Sequence, residues 1–272
     1  MINKYNPDLI YFDDSVLPFW PINDTGLEVV AHYYNRNMKL HKGKLEAVVF
    51  GKQLQEQHKE AIVWDVEKGV PSEGQEKAWQ TCTCLGSWHY HRSAYEDNWY
   101  KSARTVIHML IDIVSKNGNL LLSVPMKGDG TIDDKEEKIL EGIAAWMDIN
   151  KEGIFDTRPW HIFGEGPTAE AIIPLDGAGF NEGKNEAYTA ADIRFVQKGK
   201  TLYAHIMEWP TDGKVLIKSL ASGSPHYTGQ VKKVELSGAG KVNFQRTDKG
   251  LSITLPKDKK PNEISFVLKI TN

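Results

Sequence analysis

The sequence is poor in cysteine. Its 272 residues include only two, Cys82 and Cys84. If residues 80–85 form a strand, both thiols point to the same face, where a disulfide between them would be badly strained. The pair could form at most half of a zinc site, and no second half is present in the sequence. We therefore expect two packed thiols, and no metal or other cofactor.

The sequence also lacks a long apolar run and an excess of charge. No apolar stretch approaches the roughly 20 residues that a membrane-spanning helix needs. The formal net charge is −3, which gives no basis for binding a polyanion such as nucleic acid. The N-terminus enters a strand pattern within a few residues, so we expect no signal peptide. These absences exclude nucleic acid and membrane as expected partners.

Short apolar runs alternate with helical patterns in the first part of the chain. Residues 27–34, 103–114 and 139–147 have apolar side chains at helical spacing. Alternation of this kind predicts βα units and a parallel sheet. Five strands are predicted, too few for an eight-stranded barrel, and they lie near residues 9, 46, 61, 80 and 120.

The pattern changes from about residue 169. Helical periodicity ends and short alternating runs follow at close spacing, which is typical of an antiparallel β-sandwich. A Gly- and Pro-containing linker at residues 164–167 precedes them, so we predict an α/β domain at 1–163 and an all-β domain at 169–272. The seven predicted strands are 193–197, 202–208, 214–219, 231–236, 242–246, 251–255 and 264–270.

Acidic residues follow two of the predicted parallel strands. Asp13 and Asp14 follow the run Leu9–Phe12, and Glu67 follows the run at 61–66. The C-terminal ends of parallel strands are where α/β barrels carry their catalytic groups. The alternative is that these residues cap a loop or the next helix, as Asp commonly does.

Paired carboxylates without a cluster of metal ligands suit glycoside hydrolysis. One carboxylate attacks the anomeric carbon, while the other protonates the leaving oxygen and later activates water. Asp13 and Glu67 are the candidate pair. Three other acids compete for the second role, namely Asp65, Glu73 and Glu76.

Several stretches of residues 5–160 resemble, in order, the retaining α-L-fucosidases of glycoside hydrolase family 29. The resemblance is specific at 105–160, where Trp146 and the stretch that follows it extend the match. The matching stretches are 7–13, 79–83, 86–90, 110–122, 125, 129–132 and 153–160. The resemblance implies the later part of a (β/α)8 barrel followed by the C-terminal β-sandwich of that family. It also implies release of L-fucose from fucosylated oligosaccharides or glycoconjugates by double displacement.

The resemblance implies roles for particular residues. Asp13 matches the nucleophile, and Asp14 stands where many relatives have glycine. One common acid/base position is occupied here by Gln80, which cannot donate a proton at ordinary pH, so Glu67 is the expected acid/base. Three residues are expected to contact the sugar, Trp88, Trp64 and Asp14, although Trp88 could equally be a core residue. His89 and His91 are expected to be solvated, and the stretch 117–122 to be structural.

Nothing in the sequence matches the early strands or the His-rich fucose pocket that the resemblance implies. No His-His pair occurs among the nine histidines. An open half barrel would expose apolar sheet surface. We therefore expect either a second polypeptide or a missing N-terminal segment to complete the barrel. The alternative function is an inactive, truncated remnant that binds carbohydrate. Relatives are generally extracytoplasmic, but the compartment of this chain is not determined.

Overall fold

The computed structural model describes residues 1–13, 17–175, 180–184 and 186–272. Its helices are α1 Ile2–Tyr5, α2 Thr25–Leu40, α3 Arg92–Glu96, α4 Ala103–Ser115, α5 Asp134–Asn150 and α6 Pro167–Glu170. Three 3-10 turns lie at Glu56–Glu60, Lys151–Gly153 and Lys218–Leu220.

A parallel sheet forms the first part of the molecule. Its five strands are β1 Leu9–Phe12, β2 Val48–Gly51, β3 Val63–Glu67, β4 Trp79–Cys84 and β5 Gly118–Ser123. They pair in the order β1-β2-β3-β4-β5, and every pairing is parallel. The prediction of five parallel strands is confirmed. Within the described residues, β1 and β5 each have a neighbour on one side only.

Helices α2 and α4 cover one face of this sheet. Val30 and Tyr33 of α2 pack with Val49 of β2, and Ile113 of α4 packs with Val66 and Trp79. Apolar residues at helical spacing in α4 form the stripe that this packing requires. Helix α4 begins at Ser102, whose hydroxyl accepts a hydrogen bond from the Thr105 N–H at 3.1 Å, an N-cap that satisfies one of the free donors of the first turn.

The later part of the chain forms two antiparallel sheets. The additional strands are β6 Arg158–Glu165, β7 Ile193–Lys198, β8 Thr201–Ile206, β9 Lys214–Ile217, β10 Lys233–Leu236, β11 Gly240–Lys241, β12 Asn243–Thr247, β13 Gly250–Thr254 and β14 Phe266–Thr271. One sheet has the order β11-β10-β14-β8-β7-β6 and the other β12-β13-β9. A partial barrel followed by a β-sandwich is therefore the fold, as predicted.

One strand differs from the predicted domain limits. Residues up to 163 were expected to belong to the barrel portion and 164–167 to a linker, but Arg158–Glu165 forms β6 and pairs with β7 of the sandwich. The reason is that residue 159 is a proline in an edge strand, where a missing N–H is tolerated and the sequence pattern of a strand is weak. The rest of the proposed division remains a prediction.

The sandwich packs directly against α4 and α5. Ile107, Ile111 and Trp146 share a buried cluster with Val196 and Val267. An ion pair is buried at the same junction, where Arg194 Nε donates to Asp112 Oδ1 at 2.5 Å and Lys116 Nζ donates to Asp112 Oδ2 at 2.9 Å. Burial alone would raise the pKa of Asp112, but the charges of Arg194 and Lys116 hold it below its usual value.

No helix among the described residues has both the length and the apolar character needed to cross a bilayer.

Candidate active site

Three neighbouring strands place three charged residues at one edge of the parallel sheet. Asp13 directly follows β1, Lys52 directly follows β2, and Glu67 is the last residue of β3. Parallel strands all end at the same edge, so these side chains converge although they are distant in the sequence. The fold therefore brings Asp13 and Glu67 to the same edge of the sheet, as the sequence predicted.

Lys52 joins the two carboxylates. Its Nζ donates to Asp13 Oδ1 at 2.5 Å and to Glu67 Oε2 at 2.7 Å. The two oxygens can consequently be no farther apart than the sum of these distances, about 5.2 Å. Retaining glycosidases have carboxyl groups roughly 5–5.5 Å apart, whereas inverting enzymes need about 6.5–9.5 Å. The upper limit of about 5.2 Å between these two oxygens is shorter than the spacing of inverting enzymes.

These contacts favour the charged, protonated form of Lys52. Its side chain is 9% exposed, compared with 67% for Asp13 and 19% for Glu67. Burial disfavours the ammonium, but the hydrogen bonds to Asp13 and Glu67 outweigh it, so the pKa of Lys52 is raised. The site thus carries one buried cation between two anions, one of which faces solvent.

A hydrogen-bonded network lies beneath the pair and is centred on Asp65, which is fully buried. Asp65 accepts from Tyr11 Oη at 3.2 Å, from Gln80 Nε2 at 2.5 Å and from Cys82 Sγ at 3.0 Å. A carboxylate that accepts from three donors is not arranged to deliver a proton to a substrate. This geometry leaves Glu67, and not Asp65, as the acid/base candidate.

The network also contributes to the raised pKa values of two groups that donate to Asp65. Burial, reinforced by the hydrogen bond to Asp65, raises the pKa of the Cys82 thiol to about 12. Burial and the hydrogen bond to Cys82 raise the pKa of Tyr11. Both groups are therefore protonated at neutral pH and act as donors. Cys82 and Cys84 are free, buried thiols.

A cavity of about 670 Å³ opens above this floor. Its polar lining includes Asp13, Lys52 and Glu67, and Leu121 and Leu122 supply apolar surface on the β5 side. The remaining lining residues are Tyr11, Cys82, Trp88, His89 and Ser123. Its mixed lining and open side suit a polar ligand with one apolar face.

Trp88 lies on the wall of this cavity, as its predicted role requires. Its side chain is partly exposed, and Lys68 Nζ lies 5.0 Å from the centre of its ring. His89 lines the same cavity, whereas His91 is exposed and its Nδ1 lies 2.7 Å from Ser93 Oγ. The prediction that His89 is a solvated loop residue is confirmed, since the residue is exposed and lies outside the helices and strands.

Trp64 does not lie at this site, and its predicted contact with the sugar is corrected. Successive residues of a strand point to opposite faces, so Trp64, three positions before Glu67, faces the helices. It packs with Val66 and Trp79 and borders a different hollow, with Lys59 Nζ 4.0 Å above its ring.

The remaining predicted residues lie away from the cavity or outside the described residues. Glu76 borders the same hollow as Trp64 and not the cavity of Asp13, and Glu73 is an exposed loop residue. Asp14 lies outside the described residues. Within the part of the chain that the structure describes, no group of three or more His, Cys, Asp or Glu side chains could hold a metal ion.

Lys52 is the residue that sequence reasoning missed. It follows the run Val48–Gly51 as Asp13 follows β1, so the position at a strand end was the available signal. A single lysine after a strand is usually a solvated loop residue. Only the pairing of β1 and β2, which sets Phe12 beside Gly51, shows that the next residues on both strands are neighbours.

Comparison with known proteins assigns both parts of the chain. Residues 1–152 match the family described as alpha-L-fucosidase, and residues 185–271 match the alpha-L-fucosidase C-terminal domain.

Individual relatives agree with these matches. The tissue alpha-L-fucosidases of Bos taurus and Homo sapiens are 27% and 26% identical to the chain; the alignments cover 100% of it and 52% and 53% of those proteins. A Thermotoga maritima alpha-fucosidase, solved in complex with fucose, has a TM-score of 0.71 at 24% identity, over 99% of this chain and 54% of that one. The chain spans about half the length of these relatives.

Proposed function

The chain belongs to the α-L-fucosidase family, and on that premise we propose that it supplies the catalytic carboxylates of a retaining α-L-fucosidase. The substrate class is a fucosylated oligosaccharide or glycoconjugate. The observation that carries the proposal is the convergence of Asp13 and Glu67 on Lys52, which leaves one oxygen of each acid no more than about 5.2 Å from the other, below the spacing of inverting enzymes. The Thermotoga maritima relative, solved with fucose, supports the choice of sugar.

In the first step Asp13 is the nucleophile. One oxygen of its carboxylate forms a bond to the anomeric carbon while the bond from that carbon to the leaving oxygen breaks. Glu67 takes up a proton from solvent when Lys52 moves aside and transfers it to the leaving oxygen, so that the aglycone departs as a neutral alcohol. The exposed position of Asp13 gives the sugar access to it.

In the second step the fucosyl-enzyme ester is hydrolysed. Glu67, now ionised, removes a proton from water, and the water oxygen attacks the anomeric carbon. The bond to Asp13 breaks, its carboxylate is regenerated, and fucose leaves with its original anomeric configuration.

Lys52 has a part in both steps. Its ammonium occupies the space between the two carboxylates, so an anomeric carbon placed there must displace it. In the free protein the Lys52 Nζ also lies 5.8 Å from the centre of the Tyr11 ring. We propose that Lys52 offsets the repulsion between the two acids in the free protein and moves aside when the sugar binds.

The open sheet implies a partner for this activity. Strands β1 and β5 have unpaired outer edges in the described residues. Leu9 and Leu121 are 49% and 46% exposed, which is unusual for residues of a parallel sheet, since such sheets are normally covered on both faces. We propose that a polypeptide of about three further βα units pairs with these edges and closes an eight-stranded barrel.

The test is hydrolysis of 4-nitrophenyl α-L-fucoside by the full chain, alone and mixed with the part of the Thermotoga maritima enzyme that precedes its match to this chain. We expect hydrolysis at least in the mixture, with fucose released in the α configuration as followed by proton NMR. Release of the β anomer contradicts the retaining mechanism. No hydrolysis under either condition contradicts the proposed activity.

The open half of the site also favours a second candidate, a protein that binds carbohydrate without cleaving it. Calorimetric titration of L-fucose into the full chain separates the two candidates. Binding in the absence of hydrolysis supports the second candidate, and hydrolysis excludes it.

A further inference from the structure

The segment between α6 and β7 contacts the loop that follows Glu67. We call residues 171–175 and 180–184 the connecting strap. Its Ile173 and the loop residue Ser72 bond in both directions, since Ser72 Oγ donates to Ile173 O at 2.8 Å and Ile173 N donates to Ser72 Oγ at 3.0 Å. The strap thus contacts the barrel portion about a hundred residues away in the sequence.

The side chain of Asn181 holds the backbone of this loop. Its Oδ1 accepts from Val70 N at 2.9 Å, and its Nδ2 donates to Val70 O at 2.9 Å and to Ile173 O at 3.2 Å. The residue is 4% exposed. A buried amide that pairs with both polar groups of one residue fixes that residue in position, because any displacement leaves buried donors and acceptors unpaired.

Glu182 contacts the residue directly after Glu67. Its backbone N–H donates to Lys68 O at 2.8 Å. Its carboxylate accepts from Thr83 Oγ1 at 2.5 Å and forms an ion pair with Lys101 at 2.7 Å. Thr83 lies in β4 and Lys101 lies two residues before α4, so the strap is anchored to β4 and to the segment that leads into α4.

These contacts act on the residues directly after Glu67. Lys68 has a φ of +44°, a left-handed conformation that a non-glycine residue adopts only at a cost. The same residue places its ammonium over the ring of Trp88 on the cavity wall. A loop with this conformation needs external contacts to persist, and Asn181 and Glu182 supply them.

We propose that Asn181 and Glu182 are positioning residues for the acid/base. They hold Lys68–Val70 in place and thereby set the direction of the Glu67 carboxylate toward Asp13. The connecting strap then supports the active site as well as joining α6 to β7. The inference rests on the proposed function for its catalytic consequence, but the contact itself is measurable without activity.

The first experiment measures hydrogen exchange in the full chain with Asn181→Ala. The Val70 amide should exchange at least about tenfold faster once its acceptor is lost. The control is Asn262→Ala, because the Asn262 side chain also bonds to backbone, accepting from Ile264 N and Ser265 N, but lies in the loop before β14. Unchanged exchange at Val70, or the same increase in the control, overturns the inference. Glu182→Gln provides a milder test if Asn181→Ala does not fold.

The second experiment uses the mixture that hydrolyses the aryl fucoside. With Asn181→Ala, kcat for a fucoside with an alkyl leaving group should fall at least about tenfold, while kcat for 4-nitrophenyl α-L-fucoside should fall less than about threefold. Only the poorer leaving group depends on a well-placed acid. An equal fall for both substrates indicates general damage and overturns the positioning role. Absence of hydrolysis by the unsubstituted protein contradicts the proposed function instead, and the exchange result still decides whether the strap holds the loop.

Discussion

The carboxylates of Asp13 and Glu67 share one cation, although they follow different strands and lie 54 positions apart. This relationship brings two acids of unequal exposure to within about 5.2 Å of each other and keeps a positive charge between them. In the proposed mechanism the more exposed acid attacks the sugar and the more buried one transfers the proton. The predictions below test each part of that arrangement.

Replacement of the nucleophile should abolish turnover. Asp13→Ala removes the group that forms the covalent intermediate, so hydrolysis of 4-nitrophenyl α-L-fucoside should fall by at least about 10³-fold. Added azide should restore cleavage of the aryl fucoside by attacking from the vacated side. The control is Asp8→Ala, which removes an exposed acid just before β1. Normal hydrolysis by Asp13→Ala would show that another residue is the nucleophile.

Replacement of the acid/base should depend on the leaving group. Glu67→Gln keeps the size of the side chain but loses the exchangeable proton, so cleavage of an alkyl fucoside should fall by about 10²–10⁴-fold. Cleavage of the aryl fucoside should fall less, because its leaving group needs little protonation. Glu73→Gln, an exposed acid in the following loop, serves as the control. A loss of the same size for both substrates argues against an acid/base role for Glu67.

Removal of the bridging cation should destabilise the chain. Lys52→Met leaves two neighbouring carboxylates without a counter-charge, and we expect a loss of about 1–2 kcal/mol in the free energy of unfolding. The value is modest because Asp13 is well solvated. Lys77→Met, which breaks an exposed pair with Glu60, should cost less than about 0.5 kcal/mol.

The pH dependence of the Lys52 contribution follows from its pKa. Folding raises the pKa of Lys52 above its usual value of 10.5, so its stabilising contribution is complete below that value and declines only as the pH rises toward the folded-state pKa. The stability difference between the unsubstituted chain and Lys52→Met should therefore be constant between about pH 7 and pH 9. Denaturant titrations across that interval check this, and a difference that disappears by about pH 9 would contradict it.

A buried histidine should make the chain sensitive to acid. His205 of β8 is fully buried, and its Nε2 donates to Gly153 O at 2.9 Å, while its Nδ1 has no hydrogen-bond partner. Burial lowers the pKa of His205 from 6.5 to about 4. The unfolded chain binds this proton more readily, so stability is lost as the pH falls from about 6.5 toward 4, by about 3 kcal/mol in total.

The variant His205→Gln tests this assignment. It has no group that titrates in this range, so it should be less stable than the unsubstituted chain at pH 7 but should show a smaller loss between pH 7 and pH 4. His32→Gln, at an exposed position on α2, should leave the pH dependence unchanged. The same dependence in His205→Gln as in the unsubstituted chain would mean that other groups cause the acid sensitivity.

Much of the fold could be predicted because its signals are local. The run Leu9–Phe12 and the stripe of α4 carry their periodicity in the sequence itself, and both elements form where the pattern predicts. Strand β6 was not predicted because its proline weakens the sequence pattern of a strand. An edge strand of this kind is identified by its pairing, here with β7.

The sequence also determines the face of a strand to which each side chain points. The prediction that Trp64 contacts the sugar did not take this into account. Trp64 and Glu67 differ by an odd number of positions, so they point to opposite sides of β3. One packs under the helices and the other faces the cavity. A candidate site composed of residues on a single strand should therefore respect this alternation.

The sequence by itself determined the alternation of strands and helices, the change to an antiparallel sandwich, and the placing of acids at the ends of two strands. All of these depend on the spacing of neighbouring residues. Only the tertiary structure decided that Lys52 lies between Asp13 and Glu67, and that Asn181 holds the loop after Glu67. Such contacts depend on the lateral order of strands and the path of a connecting segment, which the packing of the whole chain sets.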